Sequence, residues 1–444
     1  MAELPSVSQH VPGDRPLVRS AAGTVTCGQL LSRAASLAGS LPAAPAALNL
    51  CERREDFVVG FVALLMRGQA CLLPSSRAAA VVAEVLQEHR GAYVIDDATV
   101  ARARSGRKSP AAAMPDIPPD RVVVIGYTSG STGRPRANPK TWGSFAASTQ
   151  FNSARLREVL GGGAPDELPW IVATVPPQHM YGMEMSVLLP LLAGCGIHGG
   201  HPLYPADVAA ALADLPAPRV LVTTPVHLRA LLESGIDLPP LAAIVSATAP
   251  LARAMAEALE RRFDTVLLEF FGSTETCVIA SRRTALESAW RRYPGVQLRP
   301  LQDETRVTAP WFPAEVVLQD VLELHDDGGF SVVGRNADMV EVAGKRASLA
   351  DLTRRLLEVP GVSDGVVFQP EPQDGTGVRR LAALAVAGGL SEAEVLQRLG
   401  EAMDPVFLPR PLVLVARLPR NDVGKLPRDR LLSALHRRDE SRGP

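Results

Sequence analysis

The chain has 444 residues, 46% of them hydrophobic and 21% charged, with a formal net charge of -1. That length supports a large core and more than one domain. The near-neutral balance speaks against a nucleic-acid binder, which would show a strongly basic surface.

Five cysteines, at 27, 51, 71, 195 and 277, are odd in number and lack CxxC spacing. They fit free thiols in a reducing compartment better than a disulfide framework or a zinc site. The start, MAELPSVSQHVPGDRP, lacks the basic opening and apolar run of a secretory signal. The most apolar segment, FVVGFVALLMRGQACLL, is broken by Arg67 too early to span a bilayer. The expectation is a cytoplasmic protein without membrane insertion.

In chain order, GQLLSRAASLAGSLP at 28–42 repeats apolar residues at helical spacing and stops at Pro42. ALNLC is a short strand, EDFVVGFVALLMRGQA a helix that breaks near Gly68, and ACLLP another strand. The alternation continues to about residue 270, with WIVATVP, RVLVTT, AAIVSA and TVLLEFF as strands. It predicts α/β architecture with largely parallel, buried sheets. RARSGRKSPAAAMPDIPP at 102–119 is basic and Pro-rich and reads as a solvent-exposed linker.

After about residue 285 short strands with tight turns take over, and DDGG between two alternating runs signals a hairpin. SLADLTRRLLEVPGV reads as a Ser-capped amphipathic helix ending before Pro360. Strands GVVFQ and RLAALAVA, a helix from SEAEVLQRL and a last strand PLVLVARLP complete a small α+β unit.

Four stretches carry chemistry. VVVIGYTSGSTGRPR at 122–136 runs a β-branched strand into a Gly/Ser/Thr loop. Glycines let backbone N–H groups approach an anion, hydroxyls add donors, and Arg134 and Arg136 add charge. The loop matches neither a Walker loop, a Rossmann fingerprint nor a G-x-S-x-G elbow. Alone it reads as a phosphate cradle or an ordinary polar loop. FFGSTET at 270–276 is a second strand end with a Gly/Ser/Thr turn, and it carries Glu275. VVGRNAD at 332–338 brings a Gly-Arg pair, and LPRNDVGKLPRDRL at 418–431 a Gly-Lys pair between a strand and the final helix.

In this order and spacing the four stretches resemble the core motifs of the acyl-adenylate-forming superfamily: acyl-CoA synthetases, nonribosomal peptide adenylation domains and luciferases. The resemblance covers nearly the whole chain. It implies activation of a carboxylic acid by ATP and Mg²⁺ to an acyl-adenylate and pyrophosphate, then transfer to a thiol. It implies a large N-terminal domain of parallel-rich sheets packed with helices, with a β-rich subdomain, over 1–334. A hinge at 335–338 centred on Ala337 and a small mobile α+β domain over 339–444 follow.

The catalytic set implied is Lys425, Glu275, Thr274 and Arg335, with Glu275 on Mg²⁺. Thr128, Ser129, Gly130, Ser131, Thr132, Gly133 and Arg136 would hold the β- and γ-phosphates. Phe270, Phe271, Gly272 and Ser273, with Phe271 stacked on adenine, and Ala247, Thr248 and Ala249 would line the nucleotide. Asp320 and Arg335 would bind the ribose. Departures from the family pattern are Arg136 for Lys, Ala247 and Thr248 for glycines, Ala337 for Asp or Lys, and Glu341 for Lys. Bland readings stand beside two of the implied catalytic residues: Glu275 as a charge at a helix start, and Lys425 as a solvated turn residue.

The acyl pocket implied takes in His179, Met180, Tyr181, Gly182, Met183, Ser246 and Gly272. His179 stands about where amino-acid-activating members place an Asp against the substrate ammonium, so an amino acid is not expected. A His beside Met and Tyr suits a flat or apolar acid, and the ring can bond a hydroxyl; alternatively it packs at the start of a helix. His198 and His201 are too isolated for a metal site.

The compact chain is also similar to the small stand-alone ligases of bacterial aryl-polyene and xanthomonadin-type pigment clusters. That implies a hydroxylated aromatic acid such as a hydroxybenzoate. Coenzyme A or the phosphopantetheine of an acyl carrier protein would be the acceptor, received by the arginines between Arg417 and Arg438. Two rivals remain: a fatty acyl ligase, and a non-catalytic adenylate-binding module of the same fold.

Overall fold

Thr26 begins the first helix. Its hydroxyl accepts from Gln29 N at 3.3 Å while the Gln29 side chain accepts from Thr26 N at 3.0 Å, a capping box. The helix α1 (Cys27–Ala38) follows the hairpin β1 (Pro16–Ser20) and β2 (Gly23–Thr26). The computed structural model describes residues 12–20, 23–75, 77–104, 113–129, 135–161, 169–301, 304–335, 339–342, 345–370, 380–421 and 424–441. The chain divides into two compact units, Met1–Gln297 with Thr308–Val316, and Leu298–Val307 with Val317–Pro444.

In the first unit β3 (Ala46–Asn49), α2 (Arg54–Arg67), β4 (Ala70–Leu73), α3 (Ala79–Glu88), β5 (Tyr93–Ile95) and α4 (Asp97–Arg104) come next. α2 stops at Gly68, whose φ of 76° is cheap only without a Cβ. With β6 (Val122–Ser129) and β7 (Pro135–Thr141) these strands form a sheet ordered β5-β3-β4-β6-β7, parallel except for β7. Of the stretch expected as a linker, residues 105–112 lie outside the described residues, and 102, 113, 116, 118 and 119 are exposed as expected. α4 takes up its first residues, and Ile117 is buried, so an apolar side chain anchors the approach to β6.

A second sheet uses β8 (Trp170–Ala173), β9 (Gly196–His198), β10 (Arg219–Thr223), β11 (Ala243–Ser246), β12 (Val266–Ser273), β13 (Cys277–Arg282) and β14 (Arg291–Arg292). The order is β14-β13-β12-β11-β10-β8-β9-β1-β2. From β12 to β1 all pairs are parallel. Between β7 and β8 lies α5 (Trp142–Val159). Between β8 and β9 run α6 (Met180–Met183), a π-turn (Glu184–Leu188) and α7 (Leu189–Ala193). The helices α8 (Pro205–Ala213), α9 (Pro225–Ser234) and α10 (Arg253–Phe263) pack Leu212, Leu228 and Leu259 onto Val172, Leu221, Ile244 and Leu267. Each such side chain contributes about 1.5–3 kcal/mol by leaving water. Strands covered on both faces read as unbroken apolar runs, as the sequence suggested.

The second unit holds most of a sheet of β15 (Gln297–Pro300), β16 (Thr305–Thr308) and β17 (Val316–Leu318). The expected hairpin is β18 (Asp320–Leu324) and β19 (Phe330–Arg335), closed by His325 N donating to Gly329 O at 2.9 Å. After β20 (Met339–Val342) and β21 (Lys345–Ser348) come α11 (Leu349–Leu357), β22 (Val362–Phe368), β23 (Ala382–Ala387), α12 (Glu392–Ala402), β24 (Leu412–Leu414) and α13 (Arg428–Ser441). Ser391 caps α12 in a second capping box with Glu394. The Ser348 side chain, the expected cap of α11, lies outside what is described.

All five cysteines are buried. Burial pushes the Cys195 thiol up to about 12 and also raises Cys27, Cys51, Cys71 and Cys277. Among the described residues no helix is long and apolar enough to cross a membrane.

Candidate active site

The strand β12 ends in Phe270-Phe271-Gly272-Ser273 and turns through Thr274-Glu275-Thr276 into antiparallel β13. Glu275 therefore sits in a hairpin turn, not at a helix start. Ser273 shapes the turn: its Oγ accepts from Glu275 N at 3.1 Å and Thr276 N at 3.2 Å, and its own N–H donates to Thr276 Oγ1 at 3.1 Å. The side chains of Thr274 and Glu275 are half-buried. Gly272 is required here, because a Cβ would stand 2.1 Å from Cys277 O. Phe270 is buried. Phe271 is half-buried, its ring 5.2 Å from Trp290, which in turn carries the Arg282 guanidinium 4.3 Å over its own ring.

Two other predicted segments reach this turn. At Gly126 on β6 a Cβ would lie 2.9 Å from Met180 Cε and 3.2 Å from Thr274 Cγ2, so β6, α6 and the turn meet at one glycine. On β7, buried Lys140 donates its Nζ to the Glu275 carbonyl oxygen. Thr128 pairs with exposed Arg136 and Ser129 with Pro135 across β6 and β7. Asn138 Nδ2 steadies that end, donating to Thr128 Oγ1 at 3.3 Å and Arg136 O at 3.0 Å. Gly130, Ser131, Thr132, Gly133 and Arg134 lie outside the described residues.

His179 is the N-cap of α6, and its Nδ1 accepts from Tyr181 N at 3.3 Å. A neutral ring bonded this way carries its hydrogen on Nε2. Met180, Tyr181, Gly182 and Met183 are buried behind it. Gly182 passes so close to Pro176 that a Cβ would stand 2.0 Å from its carbonyl oxygen. Tyr181 OH donates to Val245 O at 3.0 Å, which ties α6 to the end of β11. There Ser246 is buried and its Oγ has no partner among the described residues. Ala247 is buried, Ala249 half-buried, and Thr248 exposed with φ 81°.

Polar side chains line up where the parallel strands end. Thr223 pairs with Ser246 and Ser246 with Glu269, while Thr174 Oγ1 lies 2.8 Å from Thr223 Oγ1. Open α/β sheets take ligands at this carboxyl edge. His227 Nδ1 is 3.0 Å from Thr224 Oγ1 and 3.2 Å from Thr174 Oγ1, and His201 Nε2 is 2.9 Å from Thr174 O. Burial lowers His198, His201 and His227 below the usual imidazole value. Among the described residues no three His, Cys, Asp or Glu side chains form a metal cluster.

Sequence reasoning missed several residues here. Arg54 is fully buried, donating to Ser186 Oγ and to the carbonyls of Ala173 at 3.0 Å and Val175 at 2.8 Å, and burial lowers it to about 9. Glu184 is buried against Ser148, Asn152 and Val278 N. One signal was available: a lone charge in the apolar run MYGMEMSVLLPLL must find partners.

In the second unit, buried Asp320 stands directly across from Arg335 in the β18–β19 register. Lys425 is exposed, in a turn whose Asn421 side-chain oxygen accepts from Lys425 N at 2.8 Å. Ala337 and Gly344 lie outside the described residues.

The profile of the family described as AMP-binding enzyme matches residues 69–324. A 4-coumarate–CoA ligase of Halorhodospira halophila is 30% identical over 307 residues, 67% of this chain and 73% of that one. An indoleacetate–CoA ligase of Aromatoleum aromaticum is 25% identical over 353 residues, 71% of this chain and 68% of that one. Among solved structures, o-succinylbenzoate CoA synthetase (MenE) of Bacillus subtilis, in complex with the acyl-adenylate OSB-AMP, aligns with a TM-score of 0.80 at 19% identity. That alignment covers 95% of this chain and 96% of the other. The matched span runs from the start of β4 to the end of β18, and so includes the strand-to-loop end of β6, the Glu275 turn and the His179 helix. The chain belongs to the AMP-binding enzyme family and is an adenylate-forming ligase.

Proposed function

We propose that the protein activates a hydroxylated aromatic acid such as a hydroxybenzoate and passes the acyl group to coenzyme A or to the phosphopantetheine of a carrier protein, in the cytoplasm. An oxygen of the acid's carboxylate bonds to the α-phosphorus of ATP as the bond to the pyrophosphate oxygen breaks. The acceptor sulfur then bonds to the acyl carbon, AMP leaves, and the thiol proton passes to solvent.

The meeting of β6, α6 and the Glu275 turn at Gly126 is the observation that carries this reading. It brings β6, α6 and the Thr274–Glu275 turn side by side, which supports alignment of two anionic reactants there. The donor set fits the nucleotide: the Thr128 hydroxyl at the end of β6, and a half-buried carboxylate of the hard-oxygen type that Mg²⁺ takes. Bound at Glu275, Mg²⁺ would neutralise phosphate charge. Thr128 to Gly133 and Arg136 hold the β- and γ-phosphates, Thr274 the α-phosphate, and Phe271 with Ala247, Thr248 and Ala249 the adenine side. Asp320 and Arg335 take the ribose, and Lys425 offsets charge between carboxylate and phosphate. Residues 335–338 serve as the hinge between 1–334 and 339–444.

The aromatic assignment draws on 4-coumarate and indoleacetate, the acids named for the two relatives described above, and on a pocket helix that starts with His179 where an amino acid would need a carboxylate. A sulfoacetate–CoA ligase among the other relatives takes an alkyl acid. Buried, unpaired cysteines support the reducing compartment.

ATP–pyrophosphate exchange across benzoates, hydroxybenzoates, cinnamates and fatty acids, run beside Lys425→Ala, tests the proposal. The expected result is exchange with a hydroxylated aromatic acid, reduced about 100-fold or more in the variant. Exchange confined to alkyl acids overturns the aromatic assignment, and ATP binding without exchange points to a binding module.

A further inference from the structure

Glu184 is a lone acid in an apolar helical run and is 1% exposed. It opens the π-turn, an irregularity that concentrates at functional sites. A carboxyl so buried needs donors, and each neighbour supplies one: Ser148 Oγ, Asn152 Nδ2 at 3.4 Å, and Val278 N–H at 3.1 Å to one oxygen and 3.2 Å to the other. Tyr293 fixes the amide orientation, because its hydroxyl donates to Asn152 Oδ1 at 2.8 Å and leaves the NH₂ for Glu184. Ser148 and Asn152 lie one turn apart on α5.

Val278 belongs to the return arm of the Glu275 turn. The β12–β13 register slips between Phe271 and Gly272, and Cys277 stands at φ 61°. Such bulges re-aim groups beside active sites, and here the Val278 N–H is aimed at Glu184. From the other sheet Lys140, 6% exposed, donates to the Glu275 carbonyl. Burial pushes the Glu184 carboxyl above its usual value, its donors and the Lys140 charge oppose that, and so the ammonium, the carboxyl and the turn share one neighbourhood. Buried opposite charges are weak sources of stability compared with apolar packing. Their gain here is geometric, because both bond to backbone atoms of the same turn.

We propose that Glu184 and Lys140 are positioning residues that hold the 273–278 turn at two points, Glu184 at the Val278 N–H and Lys140 at the Glu275 carbonyl, and so aim the Glu275 carboxylate at the metal of the nucleotide substrate. The proposal rests on the adenylate-forming reading with Glu275 as the Mg²⁺ ligand. It adds two residues that touch neither substrate nor metal.

The test measures binding of a non-reacting ATP analogue, α,β-methylene ATP, by titration calorimetry with and without Mg²⁺. ATP–pyrophosphate exchange runs in parallel on wild type, Glu184→Gln, Lys140→Met and Lys140→Arg. Glutamine places an NH₂ among donors, methionine keeps bulk without a donor, and arginine restores one. The expected result is that Glu184→Gln and Lys140→Met lose about tenfold in Mg²⁺-dependent affinity and in kcat/KM for ATP. Metal-free affinity and the KM of the acid stay within twofold, and Lys140→Arg recovers most of the loss. Ser148→Ala, which removes one donor without touching charge, is the milder variant should the others not fold, with a loss of a few-fold in the same readout. Wild-type Mg²⁺-dependent affinity in these variants, or lowered melting temperatures with unchanged affinity, overturns the proposal. Exchange absent in the wild type while the binding differences persist overturns the functional reading and leaves the positioning role standing.

Discussion

Arg420 grips Asp364 through both carboxylate oxygens, 2.9 and 3.2 Å from one guanidinium nitrogen, and also donates to the Gly424 carbonyl at 3.0 Å. Asn421 adds its own carbonyl as acceptor for Gly424 N at 2.8 Å. The backbone just before Lys425 is therefore tied down while the side chain itself stays exposed. Replacing Asp364 by Asn leaves the guanidinium without its counter-charge, at a cost of about 1–2 kcal/mol for a half-buried charged pair. Exchange activity is expected to fall about threefold to tenfold with the acid's KM unchanged. Wild-type exchange in Asp364→Asn would falsify the idea that this turn needs the pair.

The three lowered histidines give a pH dependence with a definite sign. Burial holds His198, His201 and His227 down, and for His227 the nearby His201 adds to it. Between their folded values and the unfolded value of about 6.5 the unfolded chain binds more protons. Their contribution is thus fully present above pH of about 6.5 and is lost as pH falls through the folded values. Urea midpoints should drop more between pH 7.5 and pH 5.5 for the wild type than for His227→Asn. Parallel drops in the two proteins would remove this account.

Thr248 has φ 81°, a region that costs a β-branched residue about 1–2 kcal/mol. It is exposed, so Thr248→Gly removes strain without opening a cavity. After the unfolded chain's gain in freedom, the expected net effect is about 0.5 kcal/mol of added stability. A melting temperature below that of the wild type would mean that the threonine side chain has packing or bonding worth more than its strain.

If residues 335–338 hinge the two halves, Ala337→Pro should separate the two half-reactions, since proline fixes φ. Pyrophosphate exchange is expected to continue within a few-fold of wild type while thioester formation falls at least tenfold. Equal loss of both, or of neither, speaks against a hinge there.

The β-strands of the two sheets were legible because strands buried on both faces need no alternation, only an apolar run bounded by breakers. The hairpin at Asp326-Asp327-Gly328-Gly329 and the helix that starts after Ser391 were legible because their signals are local. Lys140 and Glu184 were not. Lys140 meets Glu275 across 135 positions, and Glu184 meets Ser148 across 36 and Val278 across 94. A single charge in the sequence declares that it needs a partner but not which one. In the stretch 102–119 composition gave the exposure of residues 102, 113, 116, 118 and 119, but not the burial of Ile117, which no local signal marks. The bland alternative for Glu275, a helix-start charge, was open in the sequence because the two-way passage of the chain depends on Gly272 crossing Cys277 so closely.

The burial of all five cysteines acquires a meaning once the chain is seen as a ligase. An acyl-adenylate is an electrophile that any accessible thiolate would capture, the enzyme's own included. Sulfurs withdrawn from solvent and held as neutral thiols by their apolar surroundings are poor nucleophiles. Under the proposed function, the chain's own sulfurs are thereby withheld from the acyl-adenylate, which stays available to the proposed acceptor thiol.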